Sequence, residues 1–320
     1  MKFFSVFLFI LITIFFYRHS SGNQTLLNAD HTPTPLMKSL LKATDLPVSK
    51  STDEILLEIG KKWDRNAEHR QDMKKIDLSP KVFSLLKSFM FEEVLPKTSQ
   101  KHYPTALILA STFQNVFERL VFSLKQGFYA DSYVFLTGKR ELYHNEDFTH
   151  LCKNQTVLGI TFKIKQNLIC SQLKAKYKVT TEDEMIKFLW EAFDWEEIFP
   201  FLTSSKSIYI IVEHTFHGRR PNTLDTLLEA KKFFEKKVKD RAYVVSNQFY
   251  GWRQYKEAKA ILGDFFSQLD LIAEGKDADF AKEKALDILN ELKVGFWVEY
   301  YGKDYEKYYF QNHLGKPIHF

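Results

Sequence analysis

Polar side chains follow four of the predicted buried strands, and their chemical types fit the binding of a phosphate or a carboxylate. The residues predicted to bind such a ligand are Ser111, Asn115, Arg119, Gly138, Asn222, Thr223, Ser246 and Arg253. Guanidinium, amide and hydroxyl groups donate hydrogen bonds to anionic oxygens, and the guanidinium group also supplies charge. The sequence therefore predicts an anion site, with ordinary polar surface loops as the alternative.

Glu182, at the start of a predicted helix, is the candidate catalytic residue. A carboxylate there would act as a general base or accept a hydrogen bond from a ligand, and its alternative role is to complement the helix dipole. His214 and His217 are three residues apart, but Arg219 and Arg220 beside them disfavour a bound cation, so no metal site is predicted. The sequence contains no G-x-G-x-x-G, P-loop, G-x-S-x-G or H-E-x-x-H motif and identifies no cofactor.

The elements that must position these residues alternate between short apolar runs and helical periods. This pattern predicts an α/β fold, Rossmann-like and doubly wound, with a mostly parallel sheet. The predicted strands cover 105–111, 132–137, 208–212, 242–246 and 270–273, and the predicted helices cover 113–127, 181–194, 222–238, 252–263 and 279–293. In such sheets ligands bind beyond the carboxyl ends of the strands, where helix N-termini present free N–H groups. We therefore expect the polar residues to meet at that edge.

Residues 1–22 are predicted to be a signal peptide or an N-terminal membrane anchor. Lys2 precedes an apolar run over 3–17, and a helix of that length rises about 22 Å, short of the roughly 30 Å hydrocarbon core. Ser20 and Gly22 are small residues spaced as at a cleavage site. We expect an exported protein, secreted or periplasmic, with anchoring of an uncleaved N-terminus in the membrane as the alternative.

The rest of the chain divides by composition. We predict a linker over 23–50, a helical extension over 51–100, a Rossmann-like domain over 104–293 and an aromatic C-terminal tail over 294–320. An excursion at 139–180 interrupts the domain and holds both cysteines, Cys152 and Cys170. In an exported protein these two residues could form a disulfide; two separate buried thiols are the alternative.

Composition excludes several classes of protein. Hydrophobic residues make up 45% and charged residues 27% of the 320 residues, which is typical of a globular chain and not of a disordered or fibrous one. The net charge of +5 is small and dispersed, so nucleic acid is not an expected partner. Two cysteines exclude a zinc site built from four.

The order of motifs over residues 104–275 resembles the YdcF/SanA/ElyC-like family, a bacterial domain of unknown function. The segments that carry the resemblance are ALILAS at 106–111, Glu118-Arg119-Leu120, Leu136-Thr137-Gly138, Thr181-Glu182-x-Glu184-Met185, Asn222-Thr223-x-Asp225-Thr226, Val245-Ser246-Asn247-Gln248 and Trp252-Arg253-Gln254. The chain departs from the family pattern in its Thr137-Gly138-Lys139 turn, at Asp225-Thr226 and at Gln248.

The resemblance implies a Rossmann-like fold, an N-terminal membrane segment and association with the cell envelope, but no established activity. It carries over Arg119, Gly138, Glu182, Asn222, Thr223 and Arg253 as ligand-binding groups. The expected partner is a small anionic ligand, nucleotide-like or a phosphorylated lipid carrier, and the membrane if the N-terminus is uncleaved. Hydrolase or transferase activity would follow if Glu182 lies beside the ligand. The alternative is a non-catalytic envelope scaffold, in which Arg119, Glu182, Asn222 and Arg253 would be scattered.

Overall fold

The computed structural model describes residues 25–63, 78–142, 151–165, 169–213, 221–235, 240–277 and 284–313. Its helices are α1 (Pro35–Ala43), α2 (Thr52–Lys62), α3 (Pro80–Leu86), α4 (Phe113–Lys125), α5 (Cys170–Tyr177), α6 (Glu182–Ala192), α7 (Trp195–Ile198), α8 (Thr223–Phe234), α9 (Gly251–Leu262), α10 (Ala285–Tyr301) and α11 (Tyr305–His313). Its strands are β1 (His102–Leu109), β2 (Tyr129–Gly138), β3 (Gln155–Val157), β4 (Ile160–Phe162), β5 (Lys206–Val212), β6 (Arg241–Asn247) and β7 (Gln268–Glu274).

The central sheet has five parallel strands in the order β5-β2-β1-β6-β7, flanked by helices on both faces. The chain moves outward from β1 through β2 to β5, then returns to the other side of β1 to form β6 and β7. This is the predicted Rossmann-like, doubly wound α/β fold, which is confirmed. The strand order reverses between β1 and β6, and that switch point is where such sheets open a crevice for ligands.

The centre of the sheet is buried on both faces because its strands are continuous apolar runs. Side chains alternate between faces along a strand. In β1, Ala106 and Ile108 therefore face the core that contains α4 and α6, whereas Leu107 and Leu109 face the core that contains α8 and α9. All four residues are almost fully buried, at 2% exposure or less. Parallel strands covered by helices on both faces require this composition.

Residues 25–50, which fall in the predicted linker, are part of the folded body. Helix α1 begins after Thr34, whose side-chain oxygen accepts a hydrogen bond from the Met37 amide at 3.2 Å. Met37, Leu40 and Leu41 lie on one face of α1 and are fully buried in a core shared with α2, α3 and α10. The spacing i, i+3, i+4 is that of a core-facing helix, and the Pro and Thr residues around it gave this segment the composition of a linker.

The described parts of the excursion at 139–180 pack against the face of the sheet that α4 covers. Strands β3 and β4 form an antiparallel hairpin, and Phe162 of β4 is fully buried against Phe117 and Trp195. A disulfide joins Cys152 to Cys170, with Cα atoms 5.3 Å apart. The disulfide, one of the two alternatives for these cysteines, is therefore the one found, and it ties α5 to the segment before the hairpin.

The described part of the C-terminal region, up to His313, is helical. Helix α10 runs to Tyr301, past the predicted end at 293, and α11 follows it. Phe296, Val298 and Tyr305 are buried in the hydrophobic cores, so the described part of the aromatic tail packs into the interior. None of the described helices is long and apolar enough to cross a bilayer. The predicted signal or anchor at 1–22 lies outside the described residues.

Candidate functional site

Ser111 stands at the switch point of the sheet, in the short connection between β1 and α4. Strand β1 ends at Leu109 and α4 begins at Phe113, so Ser111 lies just beyond the carboxyl end of β1. It is half-buried. Thr112 precedes α4 without capping it through its side chain, and the first-turn N–H groups of a helix have no partners within that helix.

Arg119 of α4 lies buried beneath this connection, with an exposed fraction of 1%. One terminal nitrogen donates to the Leu109 carbonyl at 2.7 Å, while Nε and the other terminal nitrogen donate to Asn247 Oδ1 at 3.0 and 2.8 Å. Burial lowers the pKa of Arg119 to about 10, so the group stays protonated at neutral pH. Because the acceptors in these three bonds are uncharged, none of them neutralises the guanidinium.

Asn247 and Asn115 connect Arg119 to the Ser111 side chain. Asn247 is the last residue of β6 and is 2% exposed. Its Nδ2 lies 3.5 Å from Asn115 Oδ1, and Asn115 Nδ2 donates to Ser111 Oγ at 3.2 Å. A continuous set of hydrogen bonds therefore runs from the buried guanidinium to the hydroxyl at the end of β1.

A second buried arginine, Arg140, reaches Ser111 from the segment after β2. Its Nε donates to Glu182 Oε1 at 2.7 Å, and one terminal nitrogen lies 3.5 Å from the Ser111 carbonyl oxygen. Arg140 and Glu182 are 6% and 7% exposed. Thr137 Oγ1 also lies 3.5 Å from Glu182 Oε2. Glu182 is thus held in a buried ion pair, an arrangement that orients Arg140.

Three further predicted residues lie at the same edge but make structural contacts. A Cβ added at Gly138 would come within 2.7 Å of Pro221 Cβ, so glycine allows the end of β2 to pack against Pro221. Asn222 caps α8, accepting from the Asp225 amide at 3.1 Å, and its Nδ2 donates to the Tyr309 hydroxyl at 3.0 Å. Thr223 is the half-buried first residue of α8.

Ser246 and Arg253 point into packed interior. Ser246 is fully buried, and its hydroxyl donates to Gln254 Oε1 at 2.6 Å. Arg253 of α9 pairs with two buried carboxylates, contacting Glu257 and donating from Nε to Glu291 Oε2 at 2.5 Å. Burial raises the pKa of both carboxyls, against the opposing effect of the guanidinium. These contacts assign Arg253 to the interface between α9 and α10.

The structure therefore brings four of the nine predicted residues together at the switch point and places the other five in structural contacts elsewhere. Those around the switch point are Ser111, Asn115, Arg119 and Glu182. Arg140 and Asn247 also follow buried strands in the sequence, each at or just beyond a strand end, but neither is among the nine predicted site residues. His214 and His217 lie outside the described residues. Within the described ranges no group of three His, Cys, Asp or Glu side chains is placed to hold a metal ion.

Comparison with known proteins found no similar protein. No family model, no curated protein and no solved structure matches this chain. The resemblance to the YdcF/SanA/ElyC-like family stays a prediction, and the fold and the contacts around Ser111 are the basis for any functional argument.

Proposed function

We propose that this protein binds a small anionic ligand at the β1–β6 switch point, with Ser111 as the central contact. The observation that carries the proposal is the convergence of two buried arginines on one residue. Arg140 reaches the Ser111 carbonyl at 3.5 Å, and Arg119 is connected to the Ser111 hydroxyl through Asn247 and Asn115. Burying a cation costs free energy. Binding of an anionic ligand beside the two arginines would explain why the fold buries them there.

A phosphate group fits the chemistry of this edge. Its oxygens accept hydrogen bonds from a hydroxyl, from guanidinium donors and from the first-turn N–H groups of a helix, here α4. The lack of a side-chain cap at Thr112 supports this use of the α4 N-terminus. The proposed ligand is therefore nucleotide-like or a phosphorylated carrier.

Binding is the extent of the proposal, and hydrolysis or transfer stays a hypothesis. A general base must accept a proton from a reacting group. Glu182 already accepts from Arg140 at 2.7 Å inside a buried pair, and these contacts support an orienting role for the carboxylate. Export or membrane anchoring is likewise proposed from residues 1–22. The disulfide between Cys152 and Cys170 supports export because such bonds persist in oxidising compartments.

The competing function is a non-catalytic envelope scaffold. Of the four residues that should meet in a ligand cleft, Arg119 and Glu182 lie around Ser111, but Asn222 caps α8 and Arg253 pairs with Glu257 and Glu291. The separate positions of Asn222 and Arg253 favour the scaffold, whereas the shared position of Arg119 and Glu182 favours a ligand site. Ligand binding by the purified protein decides between the two functions.

The test is a thermal-shift and calorimetric titration of the purified full-length chain with inorganic phosphate and with AMP. A ligand that binds only the folded state raises the midpoint of unfolding by mass action. We expect such a rise, and we expect the double variant R140Q/E182Q to reduce it because the variant removes the guanidinium donors without leaving an unpaired buried carboxylate.

The matched control is R241Q, which removes an arginine from the opposite end of the sheet, at the start of β6. It should leave the ligand-induced rise unchanged. Absence of a midpoint rise with either compound in the wild-type protein would refute the proposed function and leave the scaffold as the better hypothesis.

A further inference from the structure

We infer that Arg119 fixes the direction of a hydrogen-bond chain that leaves the Ser111 hydroxyl proton free to be donated, so that Ser111 favours a ligand atom that accepts a hydrogen bond. Asn247 and Asn115 are then positioning residues that act through Ser111. The inference rests on the proposed function and deepens it, because it states which chemical group of the ligand the site selects.

The direction of the chain follows from the chemistry of its first member. A guanidinium group has only donors, so the Asn247 atom that receives two Arg119 nitrogens at 2.8 and 3.0 Å is the oxygen. Asn247 must therefore turn its NH₂ group toward Asn115. The Asn115 atom that lies 3.5 Å from this NH₂ group is in turn its oxygen.

The same reasoning extends to the end of the chain. With its oxygen turned toward Asn247, Asn115 presents its NH₂ group to Ser111, and Nδ2 lies 3.2 Å from Ser111 Oγ. A hydroxyl has one proton to donate and two lone pairs that accept. Its oxygen accepts from Asn115, which leaves its proton to be donated to the ligand.

The hydrogen-bond chain transmits the positive charge of the fully buried Arg119 to the edge of the sheet. Arg119 is 1% exposed and lies behind Asn247, whereas Ser111 is half-buried. Successive hydrogen bonds that run in one direction polarise one another, and the cationic end of this chain is Arg119. The Ser111 hydroxyl therefore favours an anionic oxygen, as in a phosphate or a carboxylate, and disfavours a ligand group that can only donate, such as an ammonium.

The test replaces the middle of the chain with N115D. The introduced carboxylate still accepts a hydrogen bond from Asn247 but cannot donate one to Ser111. The Ser111 hydroxyl then donates its proton to this carboxylate, and the proton is no longer available to the ligand. We expect inorganic sulfate, whose charge is constant near neutral pH, to bind about tenfold to a hundredfold more weakly, in line with the loss of a hydrogen bond to a charged group.

A second measurement needs no ligand. Carbon-13 NMR of N115D gives the pKa of the introduced carboxyl. If Asn247 donates to it, as inferred, hydrogen bonding to the charged form lowers that pKa below the ordinary aspartate range. A raised pKa would show that no hydrogen bond from Asn247 stabilises the charged carboxyl, and would overturn the inference even if no sulfate bound.

Gln114 supplies the matched control. It is exposed, it neighbours Asn115 in the first turn of α4, and it donates to Glu118 at 3.0 Å, outside the chain. Q114E adds the same charge nearby and should weaken sulfate binding less than threefold. Equal losses in Q114E and N115D would reduce the effect to simple charge repulsion and overturn the inference. Failure of the wild type to bind sulfate or phosphate would instead count against the proposed function. The NMR measurement would still test the direction of the hydrogen-bond chain.

Discussion

At the scale of single residues, the buried charged cluster at Arg253 contains more negative than positive charges. One guanidinium from α9 contacts two carboxylates, Glu257 and Glu291, which are 2% and 4% exposed. The Tyr305 hydroxyl adds a hydrogen bond to Glu257 Oε1 at 3.4 Å. A single positive charge cannot compensate two buried negative charges, so burial raises the pKa of both carboxyls.

The cluster predicts effects of very different size for two substitutions. R253M leaves both carboxylates buried without their cation and should lower the free energy of unfolding by about 3 to 5 kcal/mol. E291Q leaves one cation with one carboxylate and should change it by less than about 1 kcal/mol, because the amide keeps the side-chain volume and its oxygen still accepts from Arg253. Urea denaturation at pH 7 measures both, and a similar loss in the two variants would contradict this account.

The same cluster sets a pH dependence that the urea experiment can follow. Because the folded-state pKa values of Glu257 and Glu291 lie above their unfolded-state values, the folded state holds these protons more tightly. Their contribution to stability is therefore present below the unfolded-state pKa of about 4.5 and is lost as pH rises through the folded-state values. E291Q should flatten this part of the stability profile.

At the scale of elements, the sequence predicted the sheet well because its strands carry their own signal. The five strands of the sheet are apolar runs bounded by polar residues, and each predicted range overlaps the observed strand. Helix α8 begins at Thr223, inside the range predicted for this helix, and Asn222 and Asp225 form a capping box at its start. Local rules of this kind place elements but not the contacts between them.

The predictions failed where contacts between distant residues decide the structure. Glu299 of α10 accepts hydrogen bonds from the Leu26 and Leu27 amides at 2.7 and 3.0 Å, across 273 and 272 residues. No local pattern reveals this contact, so residues 25–50 resembled a linker. The partner of Arg253 escapes local patterns for the same reason, because Glu291 belongs to a helix 38 residues further along the chain.

The disulfide in the excursion gives a prediction at the same scale. Cys152 and Cys170 are 18 residues apart in sequence, and in the chain-entropy model closing a loop of that size contributes roughly 3 kcal/mol. Reduction should lower the urea midpoint of the wild-type protein. The variant C152S/C170S should already have the lower midpoint and should not respond to reductant. A wild-type midpoint that reductant leaves unchanged would contradict a stabilising disulfide.

At the scale of the whole molecule, the body consists of a sheet with a core on each face and a third core beside it. The third core lies between α1, α2, α3 and α10, and it also contains Phe249 and Trp252 from the β6–α9 region. Val94, which follows α3, pairs antiparallel with Ala273 of β7 and covers that edge of the sheet. The N-terminal helices are therefore joined to the Rossmann-like domain through a shared core and through backbone hydrogen bonds.

This arrangement predicts where the chain tolerates truncation. A deletion of residues 1–24 keeps every described residue and serves as the reference for a longer deletion. Deleting residues 1–50 also removes, from the third core, four side chains that are 1% exposed or less: Leu26, Met37, Leu40 and Leu41. At about 1.5 to 3 kcal/mol each their loss comes to about 6 to 12 kcal/mol, which is comparable to the whole stability of an ordinary domain of about 5 to 15 kcal/mol. We therefore expect the longer deletion to abolish cooperative unfolding in thermal melts followed by circular dichroism. A cooperative melt within a few degrees of the full chain would show that residues 25–50 contribute little to the fold, as a linker would.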